Sequence, residues 1–310
     1  MTQTGSRLQP TGGEPDNGKG PGRRRFALLR AMRPKQWLKN VLVGAAPLAA
    51  GTLFTAGVPR RVLLAFIVFC MISASVYLVN DVLDADNDRQ HPLKSRRPVA
   101  SGDLSPKTAV TAAIVLAAAS IALSLAVTWQ LTVVVAAYAA SSLAYSLGVK
   151  REPVFDLALV AAGFLLRAIA GGVAAGVPLS EWFLLVASFG SLFMVSGKRY
   201  ADVLQANRSP QDGWEVVGYS ASYLRFVWGL AATATIIAYA LWAFQVGASH
   251  GRTGLAQASV VPFVLAVLRY AVDIDTGAAG APEDVVLADR WLLVLGVAWL
   301  ILFAVAADAG

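Results

Sequence analysis

The chain has 310 residues, of which 56% are hydrophobic and only 15% charged, and its mean hydropathy is +0.59. A soluble domain of this size carries about a quarter charged residues, so the composition excludes a water-soluble globular fold. The net charge of +7 does not mark a nucleic-acid binder. The basic residues gather where apolar blocks end, and there anionic lipid headgroups and phosphorylated substrates are the matching partners.

In chain order, residues 1–22 are rich in Gly, Pro, Thr and polar side chains and are predicted to be disordered. They are no signal peptide, because no apolar core with a small-residue cleavage site follows promptly. Residues 23–39 read as a basic amphipathic segment lying on the membrane surface, with Trp37 as an interface anchor. Lys35, Gln36, Lys39 and Asn40 stand at the mouth of the first apolar block.

Nine apolar blocks follow, at roughly 40–58, 62–84, 106–127, 129–148, 154–176, 181–200, 222–246, 255–272 and 289–307. About 18 apolar residues span a bilayer as a helix. The blocks are Ala-, Val- and Leu-rich and lack the period-2 alternation of barrel strands. The predicted fold is all-α and polytopic, with about nine transmembrane helices around a central cavity. Residues 40–310 form the transmembrane domain in this reading.

Nine spans put the termini on opposite faces. Of the 26 Lys and Arg residues, Arg60, Arg61 and Arg252 fall on one face and Arg167 lies inside a span. The rest fall on the face of the N-terminus, which the positive-inside rule makes cytoplasmic. The expected location is therefore the plasma membrane, with the chemistry facing the cytoplasm. Cys70 lies within a span and packs inertly. The Gly- and Ala-rich spans are compatible with a homo-oligomer without specifying one.

The richest stretch is Asn80-Asp81-Val82-Leu83-Asp84-Ala85-Asp86-Asn87-Asp88, where the second block meets water. Acids there face a cavity, a cation or a metal. On one helix Asn80, Asp84 and Asp88 recur every four residues and share a face. Such a row of hard oxygens suits Mg²⁺ held jointly with substrate phosphates. The plain alternative is a solvated acidic helix end. Against it stands the cationic run that follows, Arg89, Lys94, Arg96 and Arg97. Eight helical residues span about 12 Å, so Asn80 and Asp88 reach one ion only across a bend, a second ion or a water bridge.

Further on, Tyr145, Lys150 and Arg151 close the fourth block, although topology alone accounts for basic residues there. Arg167 sits in the middle of the fifth, on roughly the same face as Asp156, Gly163 and Gly171. It is expected either to pair with an acid or to contact a bound lipid phosphate or the cavity wall. Lys198 and Asp202 are spaced i, i+4 at the end of the sixth block, with Arg199 between them. They form a simple helix ion pair or a second half-site for phosphate and metal. The first and third loops each follow an apolar helix with polar residues at helical spacing, which points to two loosely related halves. His91 and His250 lie on opposite faces and cannot share a metal. No nucleotide-binding glycine fingerprint is present.

The run Asn80-Asp81-x-x-Asp84-x-x-x-Asp88, continued through Arg89, Pro92, Lys94, Arg96, Arg97 and Pro98, resembles the first signature of the UbiA superfamily of membrane prenyltransferases. The resemblance covers about residues 33–308. It implies a helical bundle around a cavity and Mg²⁺ bound with a diphosphate. The second signature of that family carries two or more aspartates, whereas Lys198-Arg199-Tyr200-Ala201-Asp202 keeps one. The segments 33–40 and 145–151 are similar to the branch that moves phosphoribosyl from phosphoribosyl pyrophosphate to decaprenyl phosphate, a step toward cell-wall arabinan.

That resemblance implies Asn80, Asp84 and Asp88 as metal ligands and Asp81, Asp84, Lys198 and Asp202 as catalytic. It implies Lys35, Lys39, Asn80, Lys94, Arg96, Arg97, Tyr145, Lys150, Arg151, Arg167 and Arg199 as substrate-binding. The expected partners are phosphoribosyl pyrophosphate, a polyprenyl phosphate lipid and the membrane. Two rivals are a prenyltransferase acting on an aromatic acceptor and, in another class, an ion-coupled transporter. Transporters place charges near the midplane, while the acids here gather at one mouth.

Overall fold

A computed structural model describes residues 21–208, 218–249, 251–280 and 282–307. Among the described residues every regular element is a helix. In chain order these are α1 (Pro21–Ala31), a 3₁₀ segment (Pro34–Gly44), α2 (Ala45–Ala49), α3 (Val58–Leu83) and α4 (Ala85–Gln90). Then come α5 (Pro106–Val127), α6 (Trp129–Ser146), α7 (Phe155–Ala175), α8 (Glu181–Arg208), α9 (Ala221–Ser249), α10 (Thr253–Asp275), α11 (Pro282–Ala288) and α12 (Arg290–Ala307). Residues 1–20 of the predicted disordered tail lie outside the described residues.

Helices α3, α5, α7, α9, α10 and α12 are long and apolar enough to cross a membrane. Helices α6 and α8 match them in length. They are less apolar, because α6 carries Gln, Ser and Tyr and the end of α8 carries Lys, Arg and Asp. Local chemistry sets several starts. Ser105 accepts from the Thr108 amide at 3.1 Å, with Pro106 opening α5, and Thr128 accepts from the Leu131 amide at 3.1 Å to open α6.

The first predicted span, 40–58, is not one helix. The chain runs as a 3₁₀ segment to Gly44, makes a single α-turn to Ala49 and then turns through Gly51 and Gly57, both at positive φ. Glycines at such angles end helices at no steric cost. The end of the sixth predicted block, 181–200, also differs: α8 continues past Gly197 to Arg208, and residues 209–217 lie outside the described residues. The connection between α10 and α12 contains α11.

Consecutive long helices run up and down, so the ends of α3, α6, α8 and α10 and the starts of α5, α7, α9 and α12 share one side of the bundle. One apolar cluster joins the 3₁₀ segment, α3, α6 and α7 around Phe69, Leu131 and Val135. Another joins α7, α8, α9, α10 and α12 around Phe193, Tyr200, Leu224 and Ile274. Helix α7 belongs to both and ties the two halves. At the far side Tyr239, Trp242, Phe263, Trp299 and Phe303 form an aromatic knot, with Tyr239 and Phe263 stacked at 4.0 Å between centroids.

The 3₁₀ segment crosses α7 so closely that a Cβ on Gly171 would overlap the Val43 carbonyl oxygen. Gly171→Ala is therefore expected to destabilise the fold by about 1–3 kcal/mol and to lower the melting temperature in detergent. Gly229→Ala in α9, where a Cβ meets nothing within 4 Å, serves as the neutral control.

Candidate functional site

The acidic stretch does not continue one helix. α3 ends at Leu83, and Asp84 has φ −92° and ψ 2°, outside the helical basin. α4 starts at Ala85, so the predicted row of oxygens does not lie on one uninterrupted helix. Asp84, partly exposed, receives Lys150 Nζ on both carboxylate oxygens at 2.9 Å. Lys150 belongs to the short 3₁₀ turn 149–151 between α6 and α7, so this pair crosses from one half of the site to the other.

Asp88 and Asp81 face inward and are buried. Arg97 Nη1 donates to Asp88 Oδ2 at 2.7 Å and lies 3.6 Å from Asp81 Oδ1. Arg33 also donates to Asp81 Oδ1. Its guanidinium sits 4.9 Å from the centre of the Tyr77 ring, and its backbone is left-handed at φ 52°. Asp81 Oδ2 is buried without a hydrogen-bond partner among the described residues. Asp86 and Arg89 form an exposed pair of their own, away from this cluster.

The second half is built on α7 and α8. Lys198 Nζ donates to Asp202 at 2.9 and 3.1 Å, which is the predicted i, i+4 pair. Arg199 leaves the helix one residue later and meets Asp156, which is fully buried at the head of α7. Arg199 Nε donates to Asp156 Oδ2 at 2.9 Å. Its Nη2 donates to Asp156 Oδ1 at 2.7 Å and to the Tyr145 hydroxyl at 3.0 Å. Asp202 Oδ2 lies 3.7 Å from Arg199 Nη1. Tyr219, just before α9, lies 3.5 Å from Asp156 Oδ2 and accepts the Val154 amide at 3.1 Å.

Arg167 corrects one expectation. Among the described residues no carboxylate pairs with it. Its Nε donates to Asn40 Oδ1 at 2.7 Å, its Nη1 to the Gly163 carbonyl at 2.6 Å and its Nη2 to the Tyr138 hydroxyl at 3.0 Å. The Tyr138, Phe164 and Phe69 rings surround the guanidinium at 4.8, 5.7 and 5.9 Å. Neutral oxygens and ring faces solvate the charge, and they tie α7 to α6 and to the 3₁₀ segment.

The structure thus gathers Asp81, Asp84, Asp88, Arg97, Tyr145, Lys150, Lys198, Arg199 and Asp202 at one side of the bundle. Lys39 lies deeper, 5.9 Å from the centre of the Phe164 ring. Lys94 is partly buried, whereas Lys35, Arg96 and Arg151 are exposed at the rim. Asn80 lies in the last turn of α3, where its carbonyl accepts from the Asp84 amide at 2.9 Å. Arg33, Asp156 and Tyr219 belong to the site without having been singled out by the sequence. The signals available were bland: an arginine in a basic surface segment, an acid in the first turn after a proline, and one tyrosine among eight.

Among the described residues no three His, Cys, Asp or Glu side chains converge on one point. The donors therefore do not suit an ion caged entirely by protein. They suit Mg²⁺ held through one or two carboxylates with the remaining ligands coming from phosphates and water. The Asp84 carboxylate, now occupied by a partly exposed lysine, and the unpartnered Asp81 Oδ2 fit that arrangement.

An all-helical bundle of membrane-length helices with acids and bases interleaved at one side defines an integral-membrane protein. The UbiA prenyltransferase family model matches residues 40–282, and the chain belongs to that family. It is 50% identical over 279 residues to decaprenyl-phosphate phosphoribosyltransferase of Corynebacterium glutamicum, covering 88% of this chain and 84% of that one. It is 46% identical over 311 residues to the enzyme of the same name from Mycolicibacterium smegmatis, covering 96% of both. The fold resembles a UbiA homolog from Archaeoglobus fulgidus bound to GPP and Mg²⁺, with a TM-score of 0.69 and 19% identity over 92% of this chain and 100% of that one.

Burial pushes the Tyr219 phenol up to about 12, and the neighbouring Asp156 carboxylate adds to the shift. The folded value exceeds the ordinary one of about 10. The neutral phenol therefore contributes its full stability below about pH 10, and that contribution is lost as pH rises through about 12. Near-ultraviolet titration of the protein minus its Tyr219→Phe variant is expected to show no phenolate from Tyr219 below about pH 11.

Proposed function

We propose that the protein is a decaprenyl-phosphate phosphoribosyltransferase. It transfers 5-phosphoribosyl from phosphoribosyl pyrophosphate to a polyprenyl phosphate and releases diphosphate. The observation that carries this reading is the identity of 46 to 50% to enzymes of that name over most of both chains. The site chemistry supports it. Both substrates are anionic, and Arg97, Lys150, Lys198 and Arg199 supply cations in both halves of the site. A prenyltransferase with a neutral aromatic acceptor has no use for that many.

Lys150 and Lys198 already hold carboxylates, so a polyanionic substrate binds these two by exchange. Lys150 leaves Asp84 for a phosphate oxygen, which frees the Asp84 carboxylate. Asp84, with Asn80 one turn before it, would hold Mg²⁺, and the ion would supply charge neutralisation for a diphosphate leaving group. Asp88 keeps Arg97 in place, and Asp81 steadies Arg33 and Arg97. Lys198 and Arg199 orient the second phosphorylated group, with Asp202 holding Lys198.

The bond from the anomeric carbon to the diphosphate breaks as a lipid phosphate oxygen bonds to that carbon from the opposite face. The lipid phosphate is already ionised near neutral pH, so no protein nucleophile or base is needed. Positioning and electrostatics supply the catalysis. Arg167 is structural in this reading, since its donors are taken by Asn40, Gly163 and Tyr138. The acidic side of the bundle faces the cytoplasm, where the positive-inside bias puts it. α1 lies on the membrane surface with Phe26 and Leu29 exposed toward lipid.

The purified protein, incubated with Mg²⁺, labelled phosphoribosyl pyrophosphate and a polyprenyl phosphate, is expected to move label into the organic phase. Prenylation of an aromatic acid from a prenyl diphosphate, with no such label, would assign the chain to the other branch. Asp84→Ala is expected to lower kcat by roughly 100-fold or more while the melting temperature is retained. Arg167→Leu is expected to do the reverse, lowering the melting temperature while KM for phosphoribosyl pyrophosphate stays unchanged.

A further inference from the structure

Arg199 has five N–H donors. Three are taken: Nε and one Nη2 donor by Asp156, and the other Nη2 donor by Tyr145. Both donors of Nη1 have no hydrogen-bond partner among the described residues, and the nearest carboxylate oxygen, on Asp202, is 3.7 Å away. A bidentate carboxylate on one edge of a guanidinium fixes its plane. The free edge then points in one direction, beside Lys198 and Asp202.

The clamp is built at some expense in backbone geometry. Val154 has φ 71° and ψ −54°, and the Phe155 amide donates to the Pro153 carbonyl at 2.9 Å. This is a three-residue γ-turn of the rare, strained hand, centred on a β-branched residue that seldom adopts positive φ. The Tyr219 hydroxyl holds the Val154 amide at 3.1 Å and lies 3.5 Å from Asp156 Oδ2. The turn starts α7 so that Asp156 points inward at Arg199. Strain of this kind persists where surrounding contacts over-determine it, and such places cluster at functional sites.

We propose that Asp156 and Tyr219 are positioning residues that aim the two Nη1 donors of Arg199 at a phosphate oxyanion of a substrate. This rests on the transferase reading for the identity of that substrate. The phosphate belongs either to the lipid acceptor or to phosphoribosyl pyrophosphate. Asp156 opposes the ligand's charge, so simple electrostatics and positioning predict opposite signs for its neutralisation.

Equilibrium binding to the full-length protein in detergent with Mg²⁺ tests the proposal, using farnesyl phosphate and phosphoribosyl pyrophosphate as separate probes. Asp156→Asn is expected to weaken binding of one probe by about tenfold or more and to leave the other unchanged. Tyr219→Phe, which removes only a hydroxyl, is expected to weaken the same probe by about fivefold. The probe that moves identifies the phosphate. Unchanged binding of both probes, tighter binding, or an equal loss for both would overturn the proposal. If Asp156→Asn does not fold, Tyr219→Phe is read by the same criteria. Binding is measured without turnover. A protein that shows the selective loss yet transfers no phosphoribosyl would fail the transferase reading and leave the clamp standing.

Discussion

Pairing of the buried carboxylates Asp81, Asp88 and Asp156 with cations from other elements is the interaction on which this site depends. Asp81 and Asp88 are buried, and Asp156 is fully so. An ionised carboxylate at such depth is costly unless a cation and hydrogen bonds replace water. Arg33 and Arg97 serve the first two, and Arg199 serves the third. Because the partners come from the N-terminal segment, the loop after α4 and the end of α8, the same pairs hold those elements in register. They also set the chemistry: ion pairs assembled without a ligand can be exchanged for pairs with one.

The pairs differ in how readily they exchange. Asp84 with Lys150 and Asp202 with Lys198 involve partly buried lysines, compact charges on flexible stems. Arg199, itself partly buried, grips the fully buried Asp156 with two prongs and is braced by two tyrosines. The contrast separates single lysine–carboxylate pairs from a two-pronged arginine–carboxylate pair. Arg167 lies deeper still and has no carboxylate partner among the described residues. Oxygen acceptors and aromatic faces stabilise it, and it acts as a brace among α7, α6 and the 3₁₀ segment.

Much of this was legible along the chain. The all-helical membrane fold followed from the length of the apolar blocks, and most block edges fall within a few residues of the helices. Asp84, Lys150, Lys198 and Asp202 were visible because charged residues stand out where apolar runs stop. The break at Asp84 was implied only as a geometric need, since eight helical residues are too long for one ion. The 40–58 block misled because apolar content does not distinguish an α-helix from a 3₁₀ segment followed by turns. Arg33, Asp156 and Tyr219 were silent because their partners are 43 to 65 residues away in the chain.

By itself, then, the amino-acid sequence determined the solvent of this protein, its helical class and the side of the bundle that carries charge. Those properties depend on apolar length, periodicity and residue type, all of which are local. The tertiary structure alone decided which acid meets which base, that Arg167 is held by neutral groups, and that Arg199 Nη1 makes no hydrogen bond among the described residues. Those outcomes depend on distances between helices. Such distances are set by close contacts such as Gly171 against Val43 and by the γ-turn at Val154, and no residue type or spacing encodes them.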